Sequence, residues 1–358
     1  MHISECSWIE FQQLAMAQKV ACLAREDGTP FHTLFAQQFN RPTLDRLCKL
    51  ATEIRTIAKT RIGMDFLQGL LTHKRAMLYF SQPSSRTFLS FLTACQILGL
   101  KTGEVREIAT SSEFKGESRE DSIRTFSSYF DLIIMRSPEK GLAEHMAWTL
   151  SSSERPVPII NAGSGKDQHP TQALLDIYTL QRSFERRGGL RDRSVMFVGD
   201  LARGRTVRSL STLLLNYDNI EQIFVAPPAL QVGRDVLDSL TANQTKWKTA
   251  SEMTPFLPDV DAIYMTRIQD EWDASKGESA HIDTSAYKIG VEQMRRCKPD
   301  AILMHPLPRR DEIAADVDRD PRAMYWRQMR NGMWIRVALI ASTFDCAGRI
   351  HDFYRENL

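Results

Sequence analysis

Beyond about residue 40 the chain alternates short apolar runs with longer amphipathic ones. The apolar runs lie at residues 76–80, 132–135, 157–160, 194–198, 222–226, 262–265 and 301–304, each the length of a β-strand. Between them, apolar positions recur with helical spacing over 43–59, 88–98, 119–129, 171–182, 206–215, 233–240 and 291–296. Strands separated by helices predict βαβ units and mainly parallel sheets. Unbroken runs such as Val195-Met196-Phe197-Val198 suit strands buried on both faces. The pattern therefore predicts an α/β protein of two domains, each a mainly parallel sheet flanked by helices. The expected layout is an extension over 1–40 with a helix within 14–24, a first domain over 41–169, and a second over 170–332. A long terminal helix over 334–354, with no strand after it, is expected to pack back on the first domain, so that 333–358 belongs to it. The small, polar stretch Asn161-Ala162-Gly163-Ser164-Gly165-Lys166 marks the boundary region.

In open parallel sheets ligands bind beyond the carboxyl ends of strands. Chemistry-bearing residues collect at those positions. Ser84-Ser85-Arg86-Thr87 follows the strand at 76–80 and opens the next helix. Free backbone N–H groups and the helix dipole favour an anion there, and an arginine fork suits a phosphate. Arg136 follows the run at 132–135, and Gly199-Asp200 the run at 194–198. Thr266, Arg267 and Gln269 follow 262–265, and His305-Pro306-Leu307-Pro308-Arg309 follows 301–304. Gln172 stands about one helical turn beyond His169, so both can face one site.

Charge narrows the function. With 46 basic and 44 acidic residues among 358, the net charge is only +2, and no basic excess exists to bind a nucleic acid or a membrane surface. No apolar run approaches a bilayer span, and the first residues lack the basic-then-apolar order of a signal peptide. The six cysteines are scattered without a Cys-x-x-Cys pair, which predicts reduced thiols, no structural metal and a cytoplasmic protein. Gly199-Asp200 with Gly204 lacks both the Gly-x-Gly-x-x-Gly and the Gly-Lys-Ser/Thr pattern, which argues against a nucleotide loop.

Taken together, Pro83-Ser84-Ser85-Arg86-Thr87, Lys115-Gly116-Glu117, Met135-Arg136, Gln168-His169-Pro170-Thr171-Gln172, Gly204-Arg205-Thr206, Thr266-Arg267-Ile268-Gln269 and His305-Pro306-Leu307-Pro308-Arg309 resemble the aspartate/ornithine carbamoyltransferase family in order and spacing, from about residue 40 to the C-terminus. The resemblance implies transfer of the carbamoyl group of carbamoyl phosphate to L-aspartate, the committed step of pyrimidine synthesis. It implies no cofactor, and a homotrimer with shared active sites. Carbamoyl phosphate would meet Ser84, Ser85, Arg86, Thr87, Ser111, Arg136, His169 and Gln172, with the carbonyls of Pro306 and Leu307. Thr87, Arg136 and His169 would converge on its carbonyl oxygen. Ser111 and Lys115 lie on a loop that reaches the neighbouring subunit's site in the family. Aspartate would be held by Lys115, Arg205, Arg267 and Gln269. Neither a regulatory chain nor a dihydroorotase partner is legible in the sequence.

Rival readings are another amino-acid acceptor, or a silent paralogue serving as scaffold. Ornithine enzymes carry Cys where Pro306 stands, and Arg205, Arg267 and Arg309 point to an acidic acceptor. Silent relatives lose site arginines or the loop lysine, whereas all remain here. Departures from the family pattern are Ser85, Phe88, Phe114, Gln82 and Trp272. Because Gln82 and Trp272 stand where a carboxylate–arginine link closes some relatives, Asp270 or Glu271 is expected to take over that task.

Overall fold

The computed structural model describes residues 3, 6–106, 116–165, 168–270 and 281–358. The chain divides into two compact units, Met1–Leu174 with Gly332–Leu358, and Leu175–Asn331.

The first unit holds four parallel strands, β1 (Arg75–Phe80), β2 (Lys101–Val105), β3 (Leu132–Ser137) and β4 (Ile159–Ser164), in the order β2-β1-β3-β4. Its helices are α1 (Trp8–Gln13), α2 (Met16–Cys22), α3 (Arg41–Ile57), α4 (Arg61–Gly69), α5 (Ser85–Ile97), α6 (Arg119–Tyr129) and α7 (Leu142–Ser151). The chain leaves this unit within α8 (Pro170–Phe184) and re-enters it within α12 (Tyr325–Thr343), after which α13 (Ala347–Asn357) packs against α3. The single terminal helix expected over 334–354 is thus two helices. Asp345, at φ 54, turns the chain into the left-handed region and ends the first of them.

Residues 6–40 are built into this unit. Phe11, Cys22, Leu23, Leu34 and Phe35 join Met77, Tyr79, Ile133 and Ile159 in one buried cluster. Thr33 donates its N–H to Ile159 O and accepts the Asn161 N–H, both at 2.8 Å. The segment thereby covers the outer edge of β4, an edge that would otherwise offer unpaired backbone. Residues 161–164, part of the stretch expected to mark the domain boundary, form the end of β4.

The second unit carries β5 (Ser194–Val198), β6 (Glu221–Val225), β7 (Lys246–Ala250), β8 (Ala262–Met265) and β9 (Ile302–Met304), all parallel, in the order β7-β6-β5-β8-β9. Helices α9 (Arg205–Leu214), α10 (Arg234–Ala242) and α11 (Val291–Arg296) accompany them. Met196, Val198, Ile223, Ile263 and Leu303 form its apolar centre.

Strand order locates the functional ends. The connections reverse direction between β1 and β3 in the first sheet and between β5 and β8 in the second. Such switch points open a crevice beyond the strand ends, where a parallel sheet takes its ligand.

Candidate active site

At the first switch point the loop after β1 is tied to the end of β3. Phe80 pairs with Arg136 in the ladder, and the Ser81 hydroxyl and Gln82 N–H donate to Arg136 O at 3.2 and 3.3 Å. This brings the start of α5 to the strand carrying Arg136. Ser84 caps α5 with extended backbone, its carbonyl accepting the Phe88 N–H at 3.2 Å. Ser85 and Arg86 are exposed in the first turn, and Thr87 is buried there. The amides, hydroxyls and guanidinium of residues 84–87 therefore cluster at one helix N-terminus, which suits a phosphate.

Arg136 is buried and donates from Nη1 to Ala162 O at 3.2 Å, with His169 Nε2 3.5 Å from the same nitrogen. His169 is buried and precedes α8, whose first residue is Pro170, favourable there because its missing N–H falls where none is bonded within the helix. The His169 carbonyl accepts the Gln172 N–H at 3.0 Å, so Gln172 stands in the first turn above it. The Thr171 hydroxyl lies 3.4 Å from His169 Nδ1. The guanidinium can only donate, so Nε2 accepts from Arg136 and the ring proton sits on Nδ1, facing the Thr171 hydroxyl.

Gly163 is the floor of this arrangement. Its φ is 123, and a Cβ there would come within 2.7 Å of Arg136 Nη1. The sequence marked Gly163 only as part of the boundary stretch; what it supplies is room for a guanidinium.

At the second switch point Asp200, fully buried, accepts the N–H of Arg203 on Oδ1 and of Gln269 on Oδ2, each at 3.1 Å. It therefore joins the end of β5 to the loop after β8 that bears Arg267 and Gln269. Burial pushes the Asp200 carboxyl above its ordinary range, against the pull of these two N–H groups. Gly199, at φ 114, passes so close to Thr266 O that a Cβ would stand 2.2 Å from it. Arg205 opens α9, and Arg267 donates to Ile268 O at 2.9 Å with Asp270 3.8 Å away.

Three residues singled out in the sequence find their partners in the structure. Arg309 does not stand as a further cation for an acidic acceptor, because it is held by Asp318, Nη2 to Oδ2 at 2.7 Å, and by the Tyr325 hydroxyl at 3.1 Å. Asp270 forms a two-pronged pair with Arg310, at 2.8 and 2.9 Å, joining two loops of the second unit. Phe88, 3% exposed, is a core residue set edge-on against Phe80 at 5.3 Å, with the Arg106 guanidinium 4.4 Å from its ring centre. Ser111, Phe114, Lys115, Glu271 and Trp272 lie outside the described residues. Among the described residues no group of three His, Cys, Asp or Glu side chains is disposed to hold a metal ion, and no helix is long and apolar enough to cross a membrane.

Comparison with known proteins places this geometry. The carbamoyl-P binding domain model of aspartate/ornithine carbamoyltransferases matches residues 32–182, and the Asp/Orn binding domain model matches residues 191–343. Aspartate carbamoyltransferase 1 of Pisum sativum, a chloroplastic protein, is 41% identical over 308 residues, 85% of this chain and 76% of that one. The aspartate carbamoyltransferase catalytic subunit of Vibrio cholerae is 38% identical over 316 residues, 87% of this chain and 95% of that one. The crystal structure of Trypanosoma cruzi aspartate transcarbamoylase with carbamoyl phosphate and aspartate superposes with a TM-score of 0.76 at 36% identity, over 87% of this chain and 94% of that one. The two matched models cover both units in chain order, and the chain belongs to the aspartate/ornithine carbamoyltransferase family.

Proposed function

We propose that this protein is an enzyme that transfers the carbamoyl group of carbamoyl phosphate to the amino group of L-aspartate, giving N-carbamoyl-L-aspartate and phosphate. The observation that carries the reading is the pairing of Arg136 with His169, 3.5 Å apart, on the strand tied to the helix N-terminus of residues 84–87. A phosphate dianion on Ser84, Ser85, Arg86 and Thr87 leaves its carbonyl group to these two side chains.

The chemistry asks for charge stabilisation rather than a nucleophilic side chain. The neutral amine attacks the carbonyl carbon, a C–N bond forms, and negative charge gathers on the carbonyl oxygen. Arg136, His169 and the Thr87 hydroxyl converge on that oxygen. The C–O bond to phosphate then breaks, and the amine proton leaves with the phosphate. Gln172 and the carbonyls of Pro306 and Leu307 hold the carbamoyl NH2. Arg205 and Arg267 take the two carboxylates of aspartate in bidentate fashion, with Gln269 as an orienting donor. With Arg309 already matched by Asp318, these two arginines carry the preference for an acidic acceptor.

Assembly and setting are part of the same proposal. The protein works as a homotrimer in which Ser111 and Lys115 of one subunit complete a neighbour's site, with Lys115 touching both ligands. It serves the committed step of pyrimidine synthesis. Its working compartment is the cytoplasm, although the relatives from Pisum sativum and Arabidopsis thaliana are chloroplastic.

The test is a carbamoylation assay on purified protein, with L-aspartate and L-ornithine in parallel. Formation of N-carbamoyl-L-aspartate with no product from ornithine supports the reading. Turnover of ornithine, or of neither, overturns it. For the shared site, stable mixed trimers of Lys115→Ala and Arg86→Ala subunits should regain activity that each variant lacks alone.

A further inference from the structure

A buried histidine and carboxylate outside the proposed contact set are joined to one of its least ordinary backbone turns. His305 follows β9 and is 1% exposed. Its Nδ1 accepts the Leu307 N–H at 2.7 Å, and its Nε2 lies 2.6 Å from Glu312 Oε1. An acceptor at Nδ1 fixes the neutral tautomer with the proton on Nε2, donated to Glu312. Burial holds the imidazole below its ordinary pKa in spite of the carboxylate beside it. Glu312 also accepts the Arg310 N–H, at 3.1 Å to each oxygen. On the other side the His305 N–H donates to Gln328 Oε1 at 3.0 Å, and Gln328 Nε2 donates to Asp176 at 2.7 Å.

The residue so held is Leu307, at φ 54. A leucine occupies the left-handed region only where its surroundings impose it, because its Cβ crowds the following carbonyl. Backbone of that kind concentrates at functional sites, and it directs the carbonyls of Pro306 and Leu307 away from the course an extended chain would give them.

We infer that Glu312 and His305 are positioning residues, a buried carboxylate–imidazole relay that holds the Pro306–Leu307 turn so that its carbonyls select ligands bearing the carbamoyl NH2. The inference rests on the functional reading above and adds how the amide end of the substrate is recognised. The phosphate end rests on residues 84–87 and Arg136, so the relay acts on one end of the ligand and leaves the other unaffected. A residue that merely stabilised the fold would weaken both together.

The experiment compares the wild-type protein with Glu312→Ala and Glu312→Gln, titrating each with inorganic phosphate and with phosphonoacetamide, which carries the amide. Thermal melting checks folding. In Glu312→Ala the relay loses its anchor, and phosphonoacetamide affinity should fall about tenfold, the loss of one net hydrogen bond, while phosphate affinity stays within about twofold. Glu312→Gln keeps an acceptor for the His305 proton and should recover most of the difference, and it reports on the relay even if the alanine variant fails to fold. Equal losses for both ligands, or no loss for either, overturn the relay. A wild-type protein that binds phosphonoacetamide no better than phosphate overturns the functional reading, and the relay with it.

Discussion

Gly163 stands directly against Arg136, where an added Cβ would lie 2.7 Å from Nη1 and 3.3 Å from Cδ2 of His169. The same backbone has φ 123, a conformation that side chains with a Cβ rarely adopt. Gly163→Ala therefore has to displace the guanidinium, the imidazole or the strand end. A shift on the order of 1 Å at catalytic groups costs about 10²-fold in rate. We expect kcat to fall by about that factor in a protein that still folds. Steady-state kinetics beside a melting curve decide it, since an active Gly163→Ala enzyme would remove Arg136 and His169 from the reaction as placed here.

Asp200 gives a prediction in which stability and binding part company. Its carboxylate ties the loop bearing Arg267 and Gln269 to the loop after β5 by accepting one N–H from Gln269 and one from Arg203, yet burial raises its pKa. An acid whose folded pKa is raised contributes stability below its unfolded value and loses it as pH rises through the folded one. At neutral pH the charge is thus a cost to folding, accepted for the sake of the loop. Asp200→Asn removes the charge but offers one acceptor oxygen for two donors. The melting temperature of the variant should therefore gain on that of the wild type as pH rises above about 4, while its KM for aspartate rises about tenfold. Melting curves across pH, together with aspartate saturation curves, test both halves. An unchanged KM would show that the loop needs no such anchor.

The apolar pattern revealed the inner strands because those strands are buried on both faces. It missed β2 and β7, whose sequences Lys-Thr-Gly-Glu-Val and Lys-Trp-Lys-Thr-Ala lie at sheet edges and stay largely exposed. An exposed edge strand keeps polar side chains that discourage further pairing and carries no apolar run to read, whereas β4 and β9, also at sheet edges, are buried and do carry one. The site followed a similar division. Residues whose placement follows from local position, such as Ser84 at a helix start or Arg136 at a strand end, were legible. Contacts that depend on a distant partner were not. Nothing near Arg309 in its motif announces Asp318, and the spacing from His305 to Glu312 carries no signature of its own.

Phe88 illustrates the difference. By motif it stands where the family commonly has arginine, which invites reversion. In the structure its ring fills the space against Phe80 and receives the Arg106 guanidinium on its face. Phe88→Arg would place a second cation beside Arg106 in an apolar site. We expect it to destabilise the protein by about 3 kcal/mol, with no gain in carbamoyl phosphate affinity. Denaturant unfolding measures the first quantity. A variant as stable as the wild type would mean that the ring contributes little packing.

The relay of His305 and Glu312 makes a prediction about acid that is opposite in sign to that of Asp200. Burial keeps His305 below its ordinary pKa, with Arg267 and Arg309 adding to the effect and Glu312 opposing it. Glu312 is disfavoured as an anion by its own burial, but hydrogen bonds from His305 and the Arg310 backbone bring its carboxyl below the ordinary range. Both folded pKa values are depressed, so both groups contribute stability that is present above their unfolded values and lost as pH falls through the folded ones. Acidification should thus begin to weaken the protein below about pH 6.5, where the unfolded histidine takes up a proton, and weaken it further below about pH 4.5. Protonation of Nδ1 also sets two donors against each other, the ring N–H and the Leu307 N–H, which breaks the hold on the turn. His305→Asn keeps an acceptor for Leu307 but no longer titrates. Its melting temperature should fall less steeply between pH 7 and 5 than that of the wild type, and parallel slopes for the two proteins would assign the acid sensitivity to other groups.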